Sequence, residues 1–101
     1  MNSTSETSEK PIPKLILFVT GNAPRSRRAR RNLDSALQSC GLESIEPLEI
    51  DLLQSPEHTV TYSVFATPAL LRNDGQSLEV LYGDLSNERK LSDFLDSLQV
   101  D

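Results

Sequence analysis

Apolar positions form first a continuous run and then a helical stripe. Residues 14–20 (KLILFVT) are an unbroken apolar run with Ile, Phe and Val, which is typical of a central strand buried on both faces. A GNAP segment follows, in which Asn22 or Ala23 suits a helix cap and Pro24 the first helical turn. One helical face then carries Ala29, Leu33, Ala36, Leu37 and Cys40. Gly41 is placed to end the helix.

In the second half, apolar and polar residues alternate. Residues 47–53 (PLEIDLL) place Glu49 and Asp51 between apolar neighbours, which predicts a second strand. The SPE segment at 55–57 resembles a helix start, whereas residues 59–64 favour a strand, and we predict a short helix there. Residues 69–72 and 78–82 flank the turn signal at 73–75 (NDG), which predicts a hairpin.

A final helix is predicted after Ser86 as its cap, with a buried stripe. That stripe consists of Leu91, Phe94, Leu95 and Leu98. Residues 1–13 are rich in Ser, Thr and Glu, and we interpret them as a disordered leader before one domain at 14–101. The order βαβαββα predicts an α/β fold, a mixed four-stranded sheet with helices on both faces.

The net charge of -5 conceals an asymmetry. The chain has 10 basic and 15 acidic residues, and five of the basic ones fall within seven positions. This arginine cluster consists of Arg25, Arg27, Arg28, Arg30 and Arg31. Such closely spaced like charges repel one another on a helix, and an acidic protein surface is the simplest partner that explains them; a merely solvated face is the alternative. Nucleic acid is a weaker candidate because the rest of the chain is acidic and no aromatic residues lie among the arginines.

Several classes of site are disfavoured by composition. One Cys (Cys40) cannot form an internal disulfide, and one His (His58) with it cannot complete a structural zinc site, so we expect no metal and no other cofactor. The longest apolar run is too short to span a membrane, and no signal peptide is evident. We therefore expect a cytoplasmic protein that does not bind membranes.

The predicted order is that of the thioredoxin-like fold, which keeps a Pro, commonly cis, beside its active site. Thr67-Pro68 stands at that place, before the third strand. A thiol enzyme also needs a Cys at the start of the first helix, but residues 22–26 (NAPRS) contain none. Ser26 could replace it in a glutathione-binding protein or thioredoxin-fold enzyme; otherwise it is a first-turn Ser that hydrogen-bonds the backbone.

Four segments resemble the KaiB proteins of the cyanobacterial circadian clock and their bacterial relatives. These segments are residues 20–29 (TGNAPRSRRA), 50–56 (IDLLQSP), 66–68 (ATP) and 83–90 (GDLSNERK). They keep the family's spacing over about residues 14 to 98. The resemblance implies a non-enzymatic regulator whose partner is the hexameric ATPase KaiC, with KaiA or a sensor kinase as further partners. It also implies a metamorphic protein, in which a tetramer exchanges with a thioredoxin-like monomer that binds KaiC.

The chain departs from the family at two places. Residues 73–79 (NDGQSLE) replace a Pro-rich basic stretch, and Phe94 stands where a helix-weakening Gly is usual. Both changes favour the thioredoxin-like form, so we expect that the chain keeps this fold constitutively or switches only weakly. We expect a monomer or a weak homo-oligomer, a dimer or tetramer. A stress-response or signalling role fits these departures at least as well as a circadian one.

The resemblance also suggests which residues matter. Arg28 and Arg31 match basic positions of the family, and Arg25 and Arg27 are additions in this lineage, so these four are our candidates for partner binding. Turn geometry and strand ends mark a second set as fold-determining. That set consists of Gly21, Pro24, Thr67, Pro68, Gly83 and Asp84.

Overall fold

The computed structural model describes residues 12–98. Its elements follow the predicted order: β1 (Leu15–Val19), α1 (Pro24–Ser39), β2 (Leu48–Asp51), α2 (His58–Tyr62), β3 (Ala69–Asn73), β4 (Leu78–Tyr82) and α3 (Glu88–Asp96). The leader predicted at 1–13 lies outside the described residues except for its last two positions. Of these, Ile12 accepts a hydrogen bond through its carbonyl oxygen from Asn73 Nδ2 at 2.8 Å.

The four strands form one mixed sheet in the order β2-β1-β3-β4. β1 runs parallel to β2, with Phe18 opposite Ile50, and antiparallel to β3, with Leu17 opposite Leu70. Every residue of β1 is buried, as expected for an unbroken apolar run at the centre of a sheet. The predicted α/β fold with a mixed four-stranded sheet is confirmed.

Helices cover both faces of the sheet, and alternate residues of β1 serve the two cores. On one side Leu15, Leu17 and Val19 belong to a buried cluster that also includes residues of α1 and α3. On the other side Ile16 and Phe18 pack in a second cluster beneath α2. The period of two residues along a strand explains this division.

Helix α1 begins and ends where the pattern predicts. Ala23 is its cap and Pro24 its first residue, and Gly41 follows the end of the helix with φ +73°. The predicted cap of α3 is wrong: Asn87, and not Ser86, accepts the hydrogen bond from Lys90 N at 3.0 Å. Ser86 instead donates its backbone N–H to Asp84 Oδ1 at 3.1 Å, within the preceding turn.

The predicted bounds around β2 and α2 need correction. β2 covers residues 48–51 and not 47–53, and its first residue, Leu48, is 44% exposed at the sheet edge. α2 begins at His58, because residues 55–57 form a turn in which His58 N donates to Ser55 O at 3.1 Å. The short helix itself is present, as predicted, despite the strand propensity of its residues.

The β3–β4 hairpin and α3 are joined by one arginine. Arg72 Nη1 donates to the Phe94 carbonyl oxygen at 2.6 Å, and its guanidinium carbon lies 4.6 Å from the centre of the Phe94 ring. At the turn, Asp74 N donates to Ser77 O at 3.0 Å. Residues 88–96 are helical, in agreement with the predicted thioredoxin-like arrangement.

Candidate partner-binding surface

The start of α1 lies at the sheet edge where β1 ends. Gly21 N donates to Asp51 Oδ1 at 3.0 Å, which ties this loop to the end of β2. The hydroxyl groups of Thr20 and Thr67 are hydrogen-bonded to each other, and the Thr67-Pro68 peptide bond is cis. The loop after β1, the start of β3 and the start of α1 are therefore held together as one rigid corner.

Two glycines of this corner require a backbone conformation that other residues rarely adopt. Gly21 has φ +52°, and a Cβ atom there would lie 3.2 Å from Leu53 Cδ1. Gly83, after β4, has φ +112°. These values agree with the turn roles expected of both residues. Pro24 stands at the first position of α1, where its missing N–H costs no hydrogen bond.

Ser26 lies inside the protein and not on its surface. Its exposed fraction is 1%, and its Oγ accepts a hydrogen bond from Thr20 N at 3.1 Å. A nucleophile must reach its substrate, and a hydroxyl so deeply covered is not presented to one. The geometry agrees with the structural interpretation of Ser26, as a hydroxyl that bonds the backbone.

Arg28 points toward the turn after β4 and forms an ion pair there. Its Nε donates to Asp84 Oδ2 at 3.1 Å, while the Arg28 side chain remains 46% exposed. Asn32 Nδ2 also donates to the Asp84 carbonyl oxygen at 2.9 Å, which ties the turn to α1. The hydrogen bond with the Ser86 side chain, followed by that with Arg28, lowers the pKa of Asp84 below its ordinary value. Asp84 therefore holds Arg28 in a fixed orientation with one side of the guanidinium in solvent.

Arg30 has a structural role that distinguishes it from the rest of the arginine cluster. Its Nη2 donates to Glu49 Oε2 at 2.8 Å and its Nε to Glu49 Oε1 at 3.0 Å, a two-point contact of the strong kind. Nη2 also donates to the Gly21 carbonyl oxygen at 2.9 Å. The hydrogen bond to Glu49 is the main cause that raises the pKa of Arg30. Arg30 therefore binds β2 to the loop before α1.

The other three arginines are exposed. Arg27 Nη1 donates to the Asn22 carbonyl oxygen at 2.7 Å. Arg25 and Arg31 form no ion pair within residues 12–98. Because residues three and four apart share a helix face, Arg27, Arg28 and Arg31 together form an outward basic surface. We call these three residues the arginine face.

Two exposed aromatic residues at the same corner were not predicted from the sequence. Phe65 is 81% exposed and Tyr82 is 44% exposed, and Phe65 N donates to Tyr82 Oη at 3.3 Å. The sequence pattern does not distinguish the exposed Phe65 from its neighbour Val64, which is fully buried. Both are large apolar residues in the same short segment. Ser63, which has a left-handed conformation with φ 56°, ends the short helix immediately before these two residues.

The remaining candidate groups form no reactive constellation. His58 stacks on Tyr62 with 5.7 Å between ring centres, as the first residue of α2. Within residues 12–98 no group of three or more His, Cys, Asp or Glu side chains is placed to hold a metal ion. In the same range, no helix has both the length and the apolar character that a membrane crossing requires.

The sequence and the fold were compared with known proteins. A family model described as "KaiB domain" matches residues 16–97. The Circadian clock oscillator protein KaiB of Thermostichus vulcanus is 34% identical over 85 residues, which cover 83% of this chain and 78% of the relative. The Circadian clock protein KaiB3 of Synechocystis sp. is 30% identical over 77 residues, 76% of each chain.

Solved structures show the same fold at lower identity. The N-terminal domain of SasA from Synechococcus elongatus matches with a TM-score of 0.67 at 21% identity, over 90% of each chain. Mitochondrial thioredoxin 3 from Saccharomyces cerevisiae matches with a TM-score of 0.66 at 17% identity, over 81% of this chain and 74% of its own. These two likenesses establish a thioredoxin-like fold, and the family model together with the curated relatives shows that the chain belongs to the KaiB family.

Proposed function

We propose that this protein is a non-enzymatic regulator that binds a KaiC-type hexameric ATPase through the arginine face. Membership of the KaiB family supports a clock-related or signalling role, and the surface of α1 supports the site. The observation that carries the proposal is the outward placement of Arg27, Arg28 and Arg31 on an otherwise acidic molecule. Such a surface attracts an acidic partner.

Arg25 extends the proposed contact toward β4, because its Nη2 lies 3.9 Å from the Cβ position at Gly83. The proposed contact therefore keeps all four candidates, Arg25, Arg27, Arg28 and Arg31. Arg30 is left out because its guanidinium already forms an ion pair with Glu49. A KaiA-like protein or a sensor kinase is proposed as a further partner, since the SasA domain shares this fold. We place the protein in the cytoplasm, as a monomer or weak homo-oligomer without cofactor or nucleic acid.

The burial of Ser26 supports the non-enzymatic part of the proposal. A thioredoxin-fold enzyme or glutathione-binding protein that used Ser26 would need an accessible hydroxyl there, and Ser26 is 1% exposed. Retention on immobilised glutathione is the direct test of that alternative. We expect none, and specific elution by free glutathione would overturn this part of the proposal.

The binding experiment uses the KaiC-type ATPase of the same organism, in ATP and then in ADP. Binding is measured by biolayer interferometry for the wild type and for Arg31→Glu, because Arg31 forms no ion pair within residues 12–98. Lys14→Glu is the matched control, because it makes the same charge change at the opposite end of β1. We expect Arg31→Glu to weaken binding about tenfold, as charge reversal at an interface does, and Lys14→Glu to leave binding unchanged.

The double variant Arg28→Glu/Arg31→Glu extends this test. We expect a further loss of affinity with nearly unchanged thermal stability, since an exposed ion pair such as Arg28–Asp84 contributes little to folding. Equal affinity of wild type and double variant would exclude α1 from the interface. No binding of the wild type in either nucleotide would exclude the ATPase as partner.

A further inference from the structure

Two exposed aromatic residues contact each other at the end of the segment that joins β2 to β3. Phe65 is 81% exposed and Tyr82 is 44% exposed, and Phe65 N donates to Tyr82 Oη at 3.3 Å. Leu53 (69%) and Val60 (84%) are exposed in the same connecting segment. Exposed apolar residues that contact one another on a small protein mark a candidate interaction site, and we call Phe65 and Tyr82 the aromatic pair.

Phe65 is held in solvent by a rigid backbone. Val64, immediately before it, is fully buried, and the Val64 N–H donates to the Thr59 carbonyl oxygen at 3.1 Å. Phe65 N is fixed by Tyr82 Oη, and Pro68, three residues later, is buried at the cis peptide bond. Because both flanks are anchored, Phe65 is presented to solvent without a large entropy cost on binding.

Positive charge lies directly beside the aromatic pair. Tyr82 lines a shallow depression of about 160 Å³ together with Arg25 and Lys90. Asp84 lines it too, but its carboxylate already accepts from Arg28. Aromatic and arginine side chains are the residue types that dominate binding energy at protein interfaces. The combination suits a partner segment that carries an apolar side chain next to a carboxylate.

We infer that Phe65 and Tyr82 form the apolar anchor, and Arg25 the charged contact, of a docking surface for an acidic, apolar segment of a partner protein. This surface is continuous with the arginine face, because Arg28 contacts Asp84 in the same depression. The inference deepens the proposed function and rests on it for the identity of the partner. Phe65 and Tyr82 supply affinity through burial, and Arg25 orients the partner's carboxylate.

The test compares Phe65→Ser with Leu78→Ser in binding to the KaiC-type ATPase. Leu78 is 43% exposed and lies on β4 at the end opposite Tyr82, so it is a matched apolar control. We expect Phe65→Ser to raise Kd at least about tenfold, equivalent to about 1.4 kcal/mol, and Leu78→Ser to raise it less than about twofold. Circular dichroism should show both variants folded, since both side chains are exposed. Unchanged affinity of Phe65→Ser would overturn the inference while the proposed function stands.

A second experiment tests the docking surface even if the wild type does not bind the ATPase. An acetylated and amidated leucine-aspartate-leucine-aspartate peptide is titrated into the ¹⁵N-labelled protein. Amide shifts that are concentrated at residues 65–67 and 82–83, and that are lost in Phe65→Ser, support the docking surface. Shifts that are spread evenly or centred on residue 78 overturn it.

Light scattering tests whether a second copy of the chain covers these aromatic residues instead. If the wild type is a dimer that becomes monomeric in Phe65→Ser, a second copy covers the aromatic pair and the inference is wrong.

Discussion

Single side chains determine the shape of the corner from which α1 starts. Ser26 satisfies the backbone N–H of Thr20, Asp51 satisfies that of Gly21, and Asp84 bonds the turn after β4 to Arg28. Each of these polar atoms replaces water at a place where the backbone leaves a strand. These buried and bonded polar groups thus serve mainly to fix geometry, whereas the exposed arginines and aromatics are the residues proposed to contact the partner.

Ser26→Ala should lower stability because it removes the acceptor of a covered backbone N–H. Leaving such a donor unsatisfied costs about 1–3 kcal/mol. Ser35→Ala is the control, because Ser35 is exposed on the same helix and its replacement should cost less than about 0.5 kcal/mol. Urea denaturation measures both, and equal midpoints for the two variants would contradict the structural role of Ser26.

The pKa of Asp84 offers a second test at the residue scale. Ser86→Ala and Arg28→Ala should each raise this pKa toward its ordinary value, because each removes a donor to the carboxylate. The measurement is a ¹³C NMR titration of the carboxyl group. A lowered pKa in the folded state stabilises the protein above the ordinary carboxyl pKa, and this contribution is lost as pH falls through the lower, folded value.

The stability difference between wild type and Asp84→Asn should therefore shrink as pH is lowered from 7 to 3. Asp93→Asn, at an exposed position of α3, is the control for general effects of removing a carboxylate. A difference that stays constant over this range would show that the charge of Asp84 does not act in the folded state.

Among the elements, α3 and the β3–β4 hairpin form one interlocked pair. Arg72 bonds the Phe94 carbonyl oxygen and stacks on the Phe94 ring, while Leu91 and Leu95 are buried against the sheet. An aromatic residue at position 94 thus supports both the helix and its contact with the hairpin. The preference of the chain for this thioredoxin-like arrangement over another stays a prediction, which replacement of Phe94 tests.

Phe94→Gly should destabilise α3 and promote other arrangements of residues 92–98. Glycine costs a helix about 0.5 kcal/mol more than Phe, and the lost packing should bring the total to about 2 kcal/mol. Asp93→Gly, at the exposed neighbouring position, isolates the helix propensity and should cost about 0.5 kcal/mol. Urea denaturation gives the energies, and light scattering with NMR secondary shifts detects a tetramer or a strand. A wild type that is already mainly tetrameric would contradict the expected preference.

The elements could be predicted from the sequence where periodicity was strong. The stripe from Ala29 to Cys40 is long enough to fix α1, and the turn signal at 73–75 fixes the hairpin. The predicted cap of α3 was wrong because Ser and Asn are both residue types that cap helices well. Only the hydrogen bond from Ser86 N to Asp84 decides between Ser86 and Asn87. The bonds of Arg30 could not be predicted, because Glu49 lies 19 positions away in the sequence.

At the scale of the whole molecule, charge and apolar surface are both concentrated around one end of the sheet. The net charge is -5, yet the arginine face and the aromatic pair lie side by side near the ends of β1 and β4. Long-range attraction by charge and short-range burial of apolar surface therefore both favour a partner that approaches this end of the sheet. This arrangement predicts fast association governed by charge and slow dissociation governed by Phe65.

Salt should accordingly slow the association of the protein with the proposed ATPase partner. Between 0.1 M and 1 M NaCl the Debye length falls from about 10 Å to about 3 Å, and we expect the association rate constant to fall about tenfold. The Arg28→Glu/Arg31→Glu variant should show a flatter dependence, whereas Phe65→Ser should keep the wild-type slope and dissociate faster. Stopped-flow kinetics at several salt concentrations measure both rates. An equal slope for wild type and the double variant would exclude steering by the arginine face.

The position of β1 between β2 and β3 has a consequence for synthesis on the ribosome. Its parallel neighbour β2 follows within about thirty residues, but its antiparallel neighbour β3 begins only at Ala69. Until that segment emerges, the most apolar strand of the nascent chain has one open edge, the kind of surface that chaperones cover and that aggregates recruit. Pairing of β3 with β1 ends this exposure, and the Asn-Asp-Gly turn then brings β4 onto the other edge of β3. The turn thus covers the edge that β3 would leave open in the nascent chain, as well as shaping the mature protein.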